Sequence, residues 1–351
     1  MAELYEVDIK GKTSDGEKET NIFIKNKVED SQIKLVDVGV CYSMENFFYG
    51  ELSNVYDDLQ KKANIPVEER YAMVKSYDAT NPDAIILENL SKKGFTTIHR
   101  MDVVSLKFAE LAVQQLARFH GLSWVLEKQD PVYFAKKIKK IKATFVFDEH
   151  YQSFIDNMST YTHKAIDENI KPKLNKFKSC MLEKMKKYYY DNAGAKCCLC
   201  HGDYRANNIL IKKDEDNITE VIPVDYQILY YGCPINDFVY FIFIATDRDF
   251  RKKYLNDLKE LYHNSLAKFL KYFDMDVESV YPRHEFEAQY KKRLDYGLIL
   301  NLIFTPFLFT EDNDVPDINK EDMGAISFTP NAKMDERIRG VVDEFLEWGL
   351  L

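Results

Sequence analysis

The sequence predicts an α+β fold in two unequal lobes: a small antiparallel-sheet lobe over residues 1–90 and a larger, mainly helical lobe over residues 91–351. Three observations predict it. The chain opens with two period-two segments separated by turn residues. From Val103 onward most of the apolar spacing is helical. A polar loop followed by a hairpin interrupts the helices between Cys200 and Gln227.

Residues 5–12 alternate, Ser14-Asp15-Gly16-Glu17 is rich in turn formers, and residues 21–25 alternate again, so the first element is a β-hairpin that ends at Lys25. A lysine there suits the α- and β-phosphates of a nucleotide, although strand-end lysines are commonly just solvated. Residues 43–52 follow as a helix whose apolar face carries Glu45, an acid able to pair with Lys25; Glu51 is the rival. Residues 84–90 read as a short buried strand that turns polar before Ser91-Lys92-Lys93-Gly94. This is where a hinge would lie, with Glu88, Asn89 and Leu90 offering main-chain groups to a nucleotide base and needing no side-chain signature. In the next helix Leu106, Ala109, Leu111 to Val113, Leu116 and Phe119 form a broad apolar face, and His120 beside it is expected to be structural. Residues 133–190 are lysine-rich and helical, Asn192-Ala193-Gly194 breaks them, and helices resume from Asp237.

The interrupting segment carries the chemistry. It reads Cys200-His201-Gly202-Asp203-Tyr204-Arg205-Ala206-Asn207-Asn208-Ile209-Leu210, then Val221-Ile222-Pro223-Val224-Asp225-Tyr226-Gln227. A His-Gly-Asp alone is a common turn. Here an apolar run, the polar loop, apolar 209–211, a turn at 212–217, apolar 221–224 and a closing acid come in order. An Asp two residues after a His, with an Asn five residues further on, is the pattern of a phosphotransfer loop: Asp203 takes the acceptor proton and Asn208 holds Mg²⁺. Asp225 ends its apolar run as a second oxygen ligand for the same hard cation. ATP and Mg²⁺ are therefore the expected cofactors. Asp237, in Pro234-Ile235-Asn236-Asp237-Phe238, is expected to brace the loop by accepting its backbone N–H groups.

Cys197-Cys198-Leu199-Cys200-His201 also contains a Cys-x-x-Cys-His spacing, formally that of c-type haem attachment. Haem attachment belongs with export, and Met1-Ala2-Glu3-Leu4-Tyr5 is no signal sequence. Zinc would need further soft ligands, whereas Cys41, Cys180 and Cys233 are isolated. Packing beside the loop is the simpler reading. A formal charge of −9 excludes the usual basic footprint of a nucleic-acid binder, and 46% hydrophobic residues in 351 suffice for a sizeable core. Residues 296–309, broken by Asn301 and Pro306, are too short to span a bilayer. Six cysteines without a secretory signal predict free thiols and a cytoplasmic location. The sequence signals no obligate protein partner.

Through Ile24-Lys25, Glu45-x-x-Phe48-Tyr49, Ile86-Leu87-Glu88-Asn89-Leu90, Leu116-Ala117-Arg118-Phe119-His120, the catalytic loop, Val224-Asp225-Tyr226-Gln227 and residues 234–241, the chain resembles the ecdysteroid kinase-like family, also called choline-kinase-like or CHK proteins. The resemblance extends to about Phe309 and implies a protein-kinase-like fold of the aminoglycoside and choline phosphotransferase branch. It implies ATP-dependent phosphorylation of a small-molecule hydroxyl, with ecdysteroids and xenobiotic alcohols as acceptors. The aromatic residues Tyr240, Phe241, Phe243, Phe304, Phe307 and Phe309 are candidates to line an apolar acceptor pocket, with core packing as their alternative. Two departures stand out. Only Met1 to Leu4 precede the hairpin, so the small lobe is expected to lack the family's first strand and nucleotide-covering loop. Arg205 stands where relatives carry an aromatic residue, at the place of a cation facing the transferred phosphate; pairing with a nearby acid is the other expectation. The missing loop favours an alternative function, a non-catalytic pseudokinase-like ligand-binding protein, whereas the intact set of Lys25, Glu45, Asp203, Asn208 and Asp225 favours the enzyme.

Overall fold

A computed structural model describes residues 2–14, 16–27, 33–316 and 321–351. Strands β1 (Ala2–Thr13) and β2 (Gly16–Lys27) pair antiparallel along their length, and β2 pairs with β3 (Ala84–Glu88), placing Lys25 opposite Ile85. Both hairpin strands are longer than residues 5–12 and 21–25, and Lys25 lies inside β2 instead of ending it. Cross-strand ion pairs, Lys10–Glu19 at 3.2 Å and Lys12–Glu17 at 3.8 Å, continue the ladder where no apolar alternation marks it. Of the expected turn, Asp15 lies outside the described residues, and Gly16 has φ +113°. Among the described residues no strand pairs with the other edge of β1.

The helix expected over 43–52 starts earlier and runs on. Asp37 accepts a hydrogen bond from Val40 N at 3.0 Å and so caps α1 (Val38–Phe47), which passes through a π-helical turn (Phe48–Leu52) into α2 (Ser53–Lys62). Strand β3 stops at Glu88, and the next residues form a 3₁₀ turn (Leu90–Lys93) capped by Asn89 before the short β4 (Phe95–Thr96). In α3 (Leu106–Gln129), capped by Ser105, the expected apolar face is buried apart from the half-buried Leu106 and Leu111.

Residues 133–190 are not one helical tract. Helix α4 (Pro131–Tyr133) and a π-helical turn (Phe134–Ile138) end before residues 139–148, which cross the molecule so that Phe145 bridges Val36. Asp148 then accepts from the N–H groups of His150 and Tyr151, at 2.9 and 3.2 Å, and starts α5 (Glu149–Ala165). Helices α6 (Lys171–Lys178) and α7 (Met181–Tyr190) follow. Strands β6 (Ile209–Asp214) and β7 (Asn217–Pro223) form a hairpin beside β4, turning at Glu215 and Asp216 alone, and β5 (Cys198–Cys200) pairs with β8 (Tyr230–Gly232). The turn is tighter than the expected 212–217 because Glu215 adopts φ +52°.

Helix α8 (Ile235–Ala245) is buried at all 11 residues and forms the centre of the large lobe, packed against α11 (Arg283–Leu308). A Cβ at Gly297 would lie 2.4 Å from the Phe243 ring, so glycine sets this close approach. Helices α9 (Arg248–Lys271), α10 (Val277–Val280) and α12 (Ala332–Glu347) complete the shell. No described helix is long and apolar enough to cross a membrane.

Candidate active site

The polar loop is built on Gly202 and Asp237. Gly202 has φ +81°, and a Cβ there would sit 2.1 Å from the Ile228 carbonyl oxygen, so no other residue fits without moving the backbone. Asp237, in the first turn of α8, accepts hydrogen bonds from His201 N at 2.6 Å and Gly202 N at 2.9 Å, the brace expected of it. Its Oδ2 also lies 3.1 Å from His120 Nε2, while His120 Nδ1 lies 2.7 Å from the Tyr262 hydroxyl. His120 is thus a buried structural histidine, as expected. Burial lowers the His201 pKa, and His201 Nε2 lies 3.1 Å from the Val224 carbonyl, tying the loop to the segment that carries Asp225.

Asp203 is buried, and each of its carboxylate oxygens accepts a hydrogen bond. Its Oδ1 accepts from the Tyr240 hydroxyl at 2.7 Å; its Oδ2 accepts from Asn208 Nδ2 at 2.8 Å and lies 3.3 Å from Arg205 Nε. Asn208 Nδ2 also donates to the Asp203 carbonyl at 3.0 Å, so the amide nitrogen is committed and Oδ1 is left as a free acceptor. Arg205 therefore pairs with a nearby acid, and that acid is Asp203. Its two Nη atoms have no protein partner among the described residues.

At the other end Lys25 Nζ lies between two carboxylates, 2.5 Å from Glu45 Oε2 and 2.7 Å from Asp225 Oδ1. Glu51 pairs with Lys137 at 2.9 Å and takes no part. The Tyr42 hydroxyl donates to the Lys25 carbonyl at 3.0 Å and fastens α1 to β2. Burial, opposed by Lys25, pushes the Glu45 carboxyl up to about 7. Burial also works against the Asp225 charge, but Lys25 outweighs it and holds that carboxyl below its ordinary range. The two acids outweigh burial at Lys25 and raise it. Asp225 has φ +70°, and the following Tyr226 is clamped: its ring stacks on Phe48 of the π-helical turn with centroids 3.4 Å apart, and its hydroxyl lies 2.5 Å from that of Tyr71.

The hinge residues are less open than expected. The N–H of Glu88 donates to Lys75 O at 2.9 Å, and that of Asn89 to Asn21 O at 3.0 Å. The Glu88 carboxylate pairs with Lys93, and the buried Asn89 side chain accepts from Ser91. A base would therefore meet carbonyl groups and the main chain at Leu90, not the amides of Glu88 and Asn89.

A cavity of about 220 Å³ adjoins Asp203. Asp203, Arg205 and Gln227 lie on its wall, and Phe145, Phe154, Tyr189, Leu300 and Phe304 are among its apolar lining; among the described residues Asp203 is its only carboxylate. Of the six aromatic candidates, Tyr240, Phe304 and Phe307 line it. The others pack elsewhere: Phe241 against Tyr204, Phe243 under the Arg251 guanidinium, Phe309 under that of Arg337. Phe145, Phe154 and Tyr189 were missed because they come from the tract read only as lysine-rich and helical. His120, Cys198 and Cys200 cluster in the core, but both His120 nitrogens already have partners and burial pushes the Cys198 thiol up to about 11, so the group suits packing and not a metal.

A model of the ecdysteroid kinase-like family matches residues 1–275, and the chain belongs to that family; its two-lobe architecture is protein-kinase-like. No curated protein matches the chain. Among solved structures, a putative aminoglycoside phosphotransferase from Ralstonia eutropha is 14% identical, with 98% of this chain and 94% of that one covered and a TM-score of 0.42. The choline kinase LicA from Streptococcus pneumoniae is 14% identical over 86% of this chain and 90% of that one, with a TM-score of 0.39. The Plasmodium vivax ethanolamine kinase is 14% identical over 87% of this chain and 74% of that one, also at 0.39. At these scores the likenesses bear no weight on the chemistry of this chain.

Proposed function

We propose that this member of the ecdysteroid kinase-like family transfers the γ-phosphate of ATP to the hydroxyl of an apolar alcohol, ecdysteroid-like or xenobiotic. One observation carries the reading: Asn208, hydrogen-bonded to Asp203, accepts at its main-chain carbonyl from Val224 N at 2.8 Å, next to the Asp225 that pairs with Lys25, and Asp203 adjoins an apolar cavity with no other described carboxylate.

Asp203 accepts the acceptor's proton as the hydroxyl oxygen bonds to the γ-phosphorus and the bond from that phosphorus to ADP breaks. Asn208 keeps the Asp203 carboxylate in place through its committed amide nitrogen. The oxygen donors of Asn208 and Asp225 fit Mg²⁺, a hard cation that would neutralise phosphate charge when bound. Lys25, steadied by Glu45, binds the α- and β-phosphates, and Leu90 with the carbonyls beside it receives the base. The Nη atoms of Arg205, without a partner among the described residues, would meet the transferred phosphate. Catalysis is then positioning and charge neutralisation, with no covalent intermediate. An apolar wall together with the Arg205 charge disfavours polycationic acceptors, and six free thiols suit a cytoplasmic location.

The test is a panel of steroids, phenolic glycosides, choline and aminoglycosides incubated with labelled ATP and Mg²⁺. Labelling of the apolar alcohols is expected, and preferential labelling of aminoglycosides would refute the acceptor class.

A further inference from the structure

We propose that the Tyr240 hydroxyl stands in for the acceptor: it occupies the acceptor's seat on Asp203 until a substrate displaces it, and so keeps water from the base and suppresses idle hydrolysis of ATP. The inference rests on the reading of Asp203 as the base.

The two carboxylate oxygens differ. Each accepts one hydrogen bond, but Oδ2, which accepts from Asn208 Nδ2 at 2.8 Å, also has the Arg205 Nε 3.3 Å away as an ion-pair partner that makes no hydrogen bond to it. Oδ1 has a single partner, the Tyr240 hydroxyl at 2.7 Å, and is the oxygen with room for an incoming hydroxyl. Tyr240 is itself part of the cavity wall, so the cavity and the phenol meet Asp203 together. The phenol is a hydroxyl within hydrogen-bond distance of the base, which is what an acceptor must present. Burial and the Asp203 charge push its pKa well above the ordinary value, so it remains a donor and does not itself become a base. Asp203 and Tyr240 are 7% and 4% exposed, so little of the pair meets bulk water while the phenol is in place.

Phenylalanine at this position keeps the ring beside Phe304, whose centroid is 5.8 Å away, and removes only the oxygen. The space released is about that of one water, in hydrogen-bond reach of Oδ1. That water is a nucleophile: its oxygen bonds to the γ-phosphorus, its proton passes to Asp203, the bond to ADP breaks, and ADP and inorganic phosphate leave. A tyrosine serving only as a strut predicts the opposite, because loosening Asp203 slows hydrolysis and transfer alike.

The experiment measures ADP release from Mg·ATP without acceptor in wild type, Tyr240→Phe and the double variant Asp203→Asn/Tyr240→Phe, alongside Mg·ATP binding and thermal stability. Acceptor-free hydrolysis is expected to rise about fivefold or more in Tyr240→Phe and to fall to or below the wild-type rate in the double variant, since the water depends on the base. A crystal structure of Tyr240→Phe is expected to place a water within hydrogen-bond distance of Asp203 Oδ1. No rise, a rise that survives in the double variant, or a parallel fall of hydrolysis and transfer with unchanged stability overturns the proposal while leaving the kinase reading intact. Failure of wild type to bind Mg·ATP overturns both.

Discussion

The two ends of the cleft hold their carboxylates by different means. At the nucleotide end Glu45 and Asp225 share one ammonium, Lys25 Nζ, at 2.5 and 2.7 Å. At the acceptor end Asp203 is held mainly by neutral donors, Tyr240 and Asn208. Charges buried together depend steeply on each partner and on pH, because a single charge left in a dry site is costly. Hydrogen bonds from neutral donors to a carboxylate are worth about 1.5–3 kcal/mol each and fix its geometry without a shared countercharge. Damage at the nucleotide end should therefore appear as lost binding and stability, and damage at the acceptor end as lost chemistry.

The sharpest separation is expected from Asp203→Asn. Losing the base should slow transfer by about 10³-fold, within the range for general bases, while Mg·ATP affinity changes little, since no proposed nucleotide contact is removed. Turnover and calorimetric binding on the same preparation check it. Turnover near the wild-type rate would reassign the base.

The mirror case is Lys25→Met. It strips the cation from Glu45 and Asp225 and should cost about 3 kcal/mol of stability, as breaking a buried pair does. It should also weaken Mg·ATP at least about tenfold, with the remaining affinity steeply dependent on Mg²⁺, since a charge-assisted phosphate contact is worth about 1.5–3 kcal/mol. Adding Glu45→Gln to Lys25→Met should restore part of the stability but none of the affinity. Unchanged nucleotide binding in Lys25→Met would erase the contrast between the two ends.

A smaller effect is expected in the pH dependence of stability. Glu45 has a folded-state pKa raised from 4.5 to about 7, so between those values the native state binds more protons than the unfolded one. Stability should then fall as pH rises through that window, by a few kcal/mol at most. Asp225 acts in the opposite sense: its lowered pKa gives stability that is present above 3.8 and lost as pH falls. Denaturant midpoints from pH 4 to 8 should show a slope for wild type that Glu45→Gln flattens. An equal slope in both proteins would place the titration elsewhere.

The loop and hairpin that carry Asp203 and Asp225 were more legible than their surroundings. His201, Asp203, Asn208 and Asp225 sit close in sequence on a loop and hairpin, so spacing alone brings them together. The Lys25–Glu45 contact was readable because strand and helix lie next to each other along the chain. Tyr240 was legible as an aromatic residue but not as the partner of Asp203: every residue of α8 is buried, so no polar face shows which side chain points where. The partners of the Glu88 and Asn89 amides, Lys75 and Asn21, were not legible because they lie outside residues 84–90 and Lys75 carries no strand signal. Phe145 lines the cavity from the irregular segment that precedes the Asp148 cap, and it is held there by its bridge to Val36, a pairing that no local sequence signal marks.

The smallest effect tests the join between the two ends. Tyr226 follows Asp225, stacks on Phe48 beyond Glu45 in the same helical stretch, and lies 4.9 Å from the His201 ring of the loop. Its hydroxyl also donates to the Pro223 carbonyl at 3.1 Å. Tyr226→Phe keeps the stack and removes that bond together with the contact to Tyr71, leaving the buried Tyr71 hydroxyl without its partner. The cost should be about 1–2 kcal/mol, seen as a fall in Tm of a few degrees. If Tyr226 couples the ends, the Mg²⁺ concentration needed for half-maximal nucleotide binding should rise, because Asp225 is the residue it steadies, while turnover at saturating Mg²⁺ stays near wild type. A loss of turnover that Mg²⁺ does not restore would place the effect on the Asp203 side, through His201, and the two ends would then not be separable.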